Sequence, residues 1–301
     1  MSTTSNKLNL KNIYKRIGHL PLLPSVVCDL MQLDPDSIHF LEQIEDLSKH
    51  EPSLAVRVLQ IANSVQASPM KPITDIHQAL IRTGSDDILS FLSRFSVTKV
   101  LTPMKSDERN LWRHSIETAY LSEYIARANP KLLIDPNLAY SCGLLHDIGR
   151  FVLFNVASKS IDFLESKDWK TPSELSDTET QFFGFTHAEV GSLAAQRWKL
   201  PAVITQVITH HHNYSKIDLF KFPDNFKNLL QVIQLSDFIS TCLEKNANWK
   251  DFNQQQLLDE IQNNWISKLD NQFAIDTVDL VNTIPLIVNK SNESMMKLRL
   301  A

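Results

Sequence analysis

The sequence predicts an all-α fold, and three observations carry that prediction. Apolar residues recur at spacings of three and four almost throughout, alternating runs of strand length are almost absent, and only 6 of the 301 residues are glycine. That is about 2%, against an ordinary usage of about 7%. Turns therefore fall to the 13 prolines and to Asn, Asp and Ser, which disfavours sheets built on tight hairpins. The six glycines (Gly18, Gly84, Gly143, Gly149, Gly184 and Gly191) spell neither a G-x-G-x-x-G dinucleotide fingerprint nor a G-x-x-x-x-G-K-[ST] phosphate loop.

The elements follow in chain order. Residues 1 to about 9 are polar and read as frayed, and the first periodic segment carries Ile13, Tyr14 and Ile17. A PLLP run at 21–24 interrupts it. Pro24 suits the first turn of a helix with Val26, Val27, Leu30 and Met31 on its face, ended near Asp34-Pro35. Residues 37–49 place Ile38, Leu41, Ile44 and Leu47 at steps of three. Pro52 opens another helix, with Leu54, Val58, Leu59, Ile61 and Ala62, that exits at Asn63-Ser64. Segments 73–80 and 88–95 read as short helices separated by Gly84. The polar stretch 105–110 is read as a subdomain boundary. Helical patterns resume at 111–128 and, past a turn bracketed by Pro130 and Pro136, at 137–156. The charged stretch 166–180, with Pro172, reads as irregular surface chain. Three more helices are expected at 186–198, 201–212 and 226–243. The tail carries Leu257, Ile261, Trp265 and Leu269 at steps of four, a stripe assigned to core, then Val278 and Val281 before Pro285.

Charge and cysteine content bound the function classes. Lys and Arg number 30 against 34 Asp and Glu, a formal charge of -4, so no basic footprint invites nucleic acid or an anionic membrane. No apolar run approaches the roughly 18 residues of a membrane span, and the opening MSTTSNKLNLKN lacks a signal peptide's hydrophobic stretch. A cytoplasmic protein is expected. Cys28, Cys142 and Cys242 form neither a disulfide framework nor a C-x-x-C pair and read as buried thiols.

Residues with metal or acid-base chemistry concentrate between positions 114 and 237. His114 falls in LWRHSIETAY, His146 and Asp147 in GLLHDIGR, His187 in FTHAEVG, His211 and His212 in THHHN, and Asp237 in LSDFIS. Each lies on or at the end of a predicted helix. Neutral imidazole with carboxylate is a mixed N/O donor set that suits Mn, Fe, Co, Ni or Zn. On a helix His146 and Asp147 point about 100 degrees apart, so one metal takes both or two metals take one each. Two ions would activate a water and clamp a phosphate ester. Asp147, inside an apolar helix, needs a partner: a metal, a histidine or a helix N-terminus. Ordinary roles also stand for the single residues, with His114 a half-buried histidine, His187 a helix-start residue bonded to backbone, and His210 to His212 a solvated C-terminal cap. Gly143, Gly149, Gly184 and Gly191 flank the same segments, where a missing side chain lets a helix or a ligand approach closely.

The runs LPLLPSVV, HEPSLAVRVLQIANS and ITDIHQALIRTG, followed by GLLHDIGR, THAEVG, WKLP and HHN, together resemble the HDOD domain over about residues 14–245. That family is a helical signalling-output relative of the HD phosphohydrolase superfamily. The resemblance implies an N-terminal helical bundle packed on an HD-like helical core: a flexible terminus at 1–13, an N-terminal subdomain at 14–107, an HD-like subdomain at 108–245 and additional helices at 246–301. It implies a regulatory role in bacterial signal transduction, exerted through protein or small-ligand binding, because most members lack a demonstrated activity. A signalling protein or a second copy is the expected partner, with a nucleotide as a further candidate ligand. In catalytic HD proteins a His, a His-Asp pair and a distal Asp would fall on His114, His146, Asp147 and Asp237. Three more histidines of the HD-GYP phosphodiesterases, which cleave cyclic di-GMP, would fall on His187, His211 and His212. On that reading the seven hold one or two divalent transition metals (Fe, Mn, Ni or Zn). The alternative function is then a metal-dependent phosphohydrolase or phosphodiesterase acting on a nucleotide or cyclic dinucleotide. The chain departs from HD-GYP in having NYSKI for the glycine-rich G-Y-P loop, which argues against cyclic di-GMP hydrolysis, and Arg150 for the lysine of HDIGK. Arg150 keeps a cation one turn beyond His146 and is the candidate phosphate contact. Glu51 stands where the family more often has Asp before the proline.

Overall fold

The computed structural model describes residues 9–18, 26, 29–30, 32–34, 36–64, 71–85, 88, 106–212, 222–246, 249, 252–264 and 275–300. Among them every regular element is helical, as the apolar spacing predicts. The first is α1 (Leu10–Arg16), capped by the Asn9 side chain accepting from the Asn12 amide at 2.9 Å. Next come α2 (Phe40–His50), α3 (Pro52–Ala62) and α4 (Ile76–Thr83). Pro52 occupies the first turn of α3, where its missing N–H costs nothing. This helix is apolar nearly all round and is buried from Pro52 to Leu59, with α2 and α4 packed on it. The expected helices near Pro24 and at 88–95, and Cys28, lie largely outside the described residues.

The central helix α5 (Ser106–Ala128) starts inside the stretch expected as a boundary. Residues 106–110 are polar because the first turns face solvent, and Asp107 and Glu108 there complement the positive end of the helix dipole. After a 3-10 turn at Pro130–Leu132 come α6 (Pro136–Leu145), α7 (Ile148–Glu165), α8 (Pro172–Phe183), α9 (His187–Arg197), α10 (Ala202–His210) and α11 (Asp224–Lys245). Two expectations are corrected here. The single helix expected at 137–156 is two, broken at His146 and Asp147. Much of the stretch expected as irregular, 166–180, belongs to α8: Thr171 caps it, Pro172 fills its first turn and Gly184, at φ 78°, ends it. Its face is mostly polar, which hid its periodicity.

The chain closes with α12 (Gln254–Asn264) and α13 (Thr277–Lys297). Pro285, expected to stop the last helix, lies inside it. Val281, Ile284 and Ile287 flank the proline and are buried, so packing holds the helix together across the lost hydrogen bond. Ile261 is buried and Leu257 partly so, in agreement with a core stripe; Trp265 and Leu269 lie outside the described residues. One hydrophobic cluster runs from Ile13 of α1 through α3 and into α5 to α11, so the N-terminal helices and the His/Asp-bearing helices share a continuous core. A second joins Leu121 and Ile125 of α5 and Leu235 and Ile239 of α11 to Leu280 and Ile284 of α13. Cys142 is buried and Cys242 partly so, both as free thiols. No helix among the described residues is long and apolar enough to cross a membrane.

The glycines flanking the His/Asp segments act in this packing. A Cβ on Gly149 of α7 would lie 1.9 Å from the carbonyl oxygen of His187 and 2.7 Å from the amide nitrogen of Gly191, both on α9. One on Gly143 of α6 would lie 2.8 Å from the Thr118 carbonyl oxygen of α5. Backbone contacts this close cannot be relieved by a rotamer change. Gly149→Ala is therefore expected to cost more than the usual overpacking penalty, upwards of about 3 kcal/mol in urea denaturation. A loss below about 1 kcal/mol would contradict the close approach of α7 and α9.

Candidate metal centre

The seven residues sit on separate supports that the packing brings together. His114 projects from the middle of α5 and Asp237 from the middle of α11. His146 and Asp147 occupy the break between α6 and α7, not a continuous helix face as expected. Asp147 holds the N-cap position of α7, yet its carboxylate makes no capping bond and turns to the cluster instead. His187 is the first residue of α9, set by a capping box between Thr186 and Glu189. His211 and His212 follow the end of α10. All seven side chains are between 0 and 8% exposed, so the solvated-cap reading of His211 and His212 does not hold.

The donor atoms form two groups, each within 4.8 Å: Asp147 with His187, His211 and His212, and His114 with His146 and Asp237. Asp147 joins them. Its Oδ1 lies 3.0 Å from His187 Nε2, 3.4 Å from His211 Nε2 and 3.6 Å from His146 Nε2, while its Oδ2 lies 3.6 Å from His114 Nε2. Asp237 Oδ1 is 3.3 Å from His114 Nε2.

The imidazole orientations decide what this cluster can hold. His146 Nδ1 donates to the Gly143 carbonyl at 2.7 Å and His211 Nδ1 to the Ile208 carbonyl at 2.8 Å. His187 Nδ1 donates to Glu179 Oε2 at 2.7 Å. Ser240 donates its proton to Glu117 Oε2, so its oxygen accepts from His114 Nδ1 at 3.0 Å. With the outer nitrogens protonated, four Nε2 lone pairs point inward, and they face each other: His114 to His146 at 3.2 Å and His187 to His211 at 3.3 Å. Opposed lone pairs repel unless a cation lies among them, either a metal ion or an inner proton such as the one His187 holds beside Asp147 Oδ1. The two inner carboxylate oxygens, Asp147 Oδ1 and Asp237 Oδ2, also lack a well-aligned hydrogen bond. Buried acceptors oriented this way, around a mixed N/O set, fit one or two divalent transition ions.

The electrostatics agree. Burial would raise the Asp147 pKa, but His146 and His187 hold it well below the usual carboxylate range. Asp237 is likewise held low against burial by His114 and His146. Burial lowers His211, and burial with neighbouring His211 and His187 lowers His212 strongly, which keeps both rings neutral. For His187 the pull of Glu179 and Asp147 overcomes burial and raises its pKa to about 10, so an inner proton there competes with a metal.

Several supporting residues escape the sequence reading. Glu179 is fully buried on α8 and binds both the amide and Nδ1 of His187. Glu117 and Ser240 orient His114 from α5 and α11. Arg150, which the sequence reading did single out as the candidate phosphate contact, is buried, its guanidinium donating to Asp147 Oδ2 at 3.1 Å and to Glu165 Oε1 at 2.7 Å, over the ring of Trp169. No sequence signal marks Glu179, whose helix is mostly polar, so its burial emerges only from the packing.

A family model described as HDOD domain matches residues 20–214. An uncharacterised protein of Treponema pallidum strain Nichols is 27% identical over 81% of this chain. The chain spans 46% of that protein's length. Ribonuclease Y of Thermus thermophilus is 29% identical over 42% of the chain, which covers 15% of the enzyme. Among solved structures, the MmoQ response regulator of Methylococcus capsulatus has a similar fold, with a TM-score of 0.64 at 18% identity over 88% of this chain and 98% of that one.

Proposed function

The chain belongs to the HDOD family, and from that premise we propose that it is a regulatory signal-transduction protein built around a buried metal centre. His114, His146, Asp147, His187, His211, His212 and Asp237 would hold one or two divalent transition ions, Fe, Mn, Ni or Zn. The observation that carries this reading is the set of inward Nε2 atoms around two ionised carboxylates, nearly all of it buried, with His114 lining a cavity of about 280 Å³. Closed coordination suits a structural or sensing ion, whereas catalysis needs a position open to substrate.

A second reading, a phosphohydrolase or phosphodiesterase for a nucleotide or cyclic dinucleotide, is favoured by one feature: Asp147 lies between two donor groups. Divalent ions bound there would supply an activated water and neutralise a phosphate ester. The chain's own residues set the conditions. Glu179, Ser240 and the Gly143 and Ile208 carbonyls fix the tautomers, and Arg150 would have to leave Glu165 to meet a phosphate.

Elemental analysis of protein purified without chelator tests the centre. About one or two equivalents of transition metal are expected, and Glu179→Gln should weaken retention against a chelator by about 10- to 100-fold. Metal near zero, not restored by added Mn, Fe or Ni, would end the metal reading. Efficient turnover of a cyclic dinucleotide or a nucleotide phosphoester by the loaded protein would replace the regulatory reading with the hydrolytic one.

A further inference from the structure

Between α2, α4 and the last turn of α13 runs a groove of about 1020 Å³, remote in sequence from the His/Asp cluster. Its floor is apolar, made of Leu33, Leu41, Leu47, Leu80 and Leu298, and Ile81 stands on its rim at 62% exposure. Phe40, Ile44 and Ser48 turn α2 to the core, so Leu41 and Leu47 are apolar surface that intramolecular packing consumes only in part. The rim is acidic, with Asp29, Glu42, Glu45 and Asp46 against Lys49 and Lys297.

The chain itself displays what this groove recognises. At one end, Lys297 Nζ donates to both carboxylate oxygens of Asp46 at 3.0 and 3.1 Å, Leu298 is buried, and Arg299 donates to Asp29 at 2.8 Å. A basic-leucine-basic turn fills that end. Elsewhere on the rim, among the described residues, Glu42 meets the exposed His39 of the turn before α2, and Glu45 meets Lys49 on its own helix and His77 of α4. Surface pairs of this kind are worth about 0–1 kcal/mol, so an incoming cation exchanges for them readily.

We propose that this groove docks an amphipathic helix of a partner protein, leucine-like residues at i, i+3/i+4 and i+7 on the apolar floor and Lys or Arg along both flanks. The α2 wall, 11 residues and about 16 Å long, matches about three turns of such a helix. The acidic rim disfavours an anionic lipid surface. No strand edge among the described residues offers a strand-addition mode. The inference rests on the regulatory reading for its meaning, but not on the metal.

Fluorescence anisotropy with a labelled Leu/Lys amphipathic helix tests it. Controls are an isomer of the same composition with scattered leucines and an analogue with Glu for Lys. The amphipathic peptide is expected to bind with a Kd on the order of micromolar, weakening in salt, and both controls at least about tenfold more weakly. Ile81→Asp and Glu42→Lys, both at exposed positions, should each cost about tenfold while leaving the melting temperature and metal content unchanged. A metal-free protein that still binds the peptide would separate failure of the metal centre from failure of the groove. Equal binding of the scattered isomer, or binding indifferent to Ile81→Asp, overturns the proposal. So does a self-dimer in sedimentation that Ile81→Asp dissolves, since a second copy would then be the occupant.

Discussion

Asp147→Ala is expected to lower the stability of the metal-free protein by about 3–5 kcal/mol, a large share of the roughly 5–15 kcal/mol that holds a typical domain together. The carboxylate is 2% exposed and touches His187, His211, His146, His114 and Arg150. Its removal leaves the buried Arg150 with Glu165 and the Trp169 ring and deprives His187 and His146 of one of the charges that raise their pKa. Those histidines must then lose their protons or stay charged in a low-dielectric interior, and either is costly. The sign with pH follows from the direction of the Asp147 shift. A carboxylate whose folded pKa lies below its ordinary 3.8 contributes stability that is present above that value and lost as pH falls beneath it. The variant and parent should therefore differ most near neutral pH and converge in acid. Urea denaturation at neutral pH checks this, and a difference under about 0.5 kcal/mol would mean that Asp147 does not organise the cluster. Asp147→Asn, isosteric but uncharged, separates the lost charge from the cavity.

The seven candidate donors are legible by residue type, because a buried Asp next to a His in an apolar run has few physical reasons to be there. Their common placement is not. His114 and Ser240 are 126 positions apart, and only the packing of α5 on α11 brings the serine to Nδ1. The break at His146 and Asp147 is equally silent, since the residues on both sides, Leu144, Leu145 and Ile148, continue a helical pattern while the backbone does not. Glu179 is hidden for the opposite reason: α8 shows solvent a polar face, so its one fully buried carboxylate looks like any other surface acid. The capping signal reads well at Pro52, which opens α3, whereas Pro136, read as the end of a turn, opens α6 in the same way. Glycine spacing also carried information, because the contacts at Gly143 and Gly149 are backbone contacts that no other residue permits.

The substitution at position 51 leads to the second large effect, far from the histidines. Glu51 caps α3, its side chain accepting from the Leu54 amide, and is fully buried with Oε1 making no hydrogen bond. Burial pushes its pKa up to about 8, against the lowering effects of the Leu54 amide and the charge of Arg57. A folded pKa raised above the ordinary 4.5 means the folded state holds a proton that the unfolded chain has released. The associated stability is complete below about pH 4.5 and is lost as pH rises through about 8. A shift of that size corresponds to a loss on the order of 5 kcal/mol across the window. Glu51→Gln keeps an acceptor for the Leu54 amide and removes the ionisation. It should match the parent near pH 5 and exceed it by several kcal/mol near pH 9, by the same linkage. Denaturant midpoints measured from about pH 5 to about pH 9 decide it, as His187, with a pKa near 10, titrates equally in both proteins. Parallel pH profiles for parent and variant would show that Glu51 is ionised throughout and that Arg57 compensates its burial fully. An aspartate, the residue more usual in the family, reaches less far into the core from the same cap, so Glu51→Asp should show a smaller pH slope than the parent.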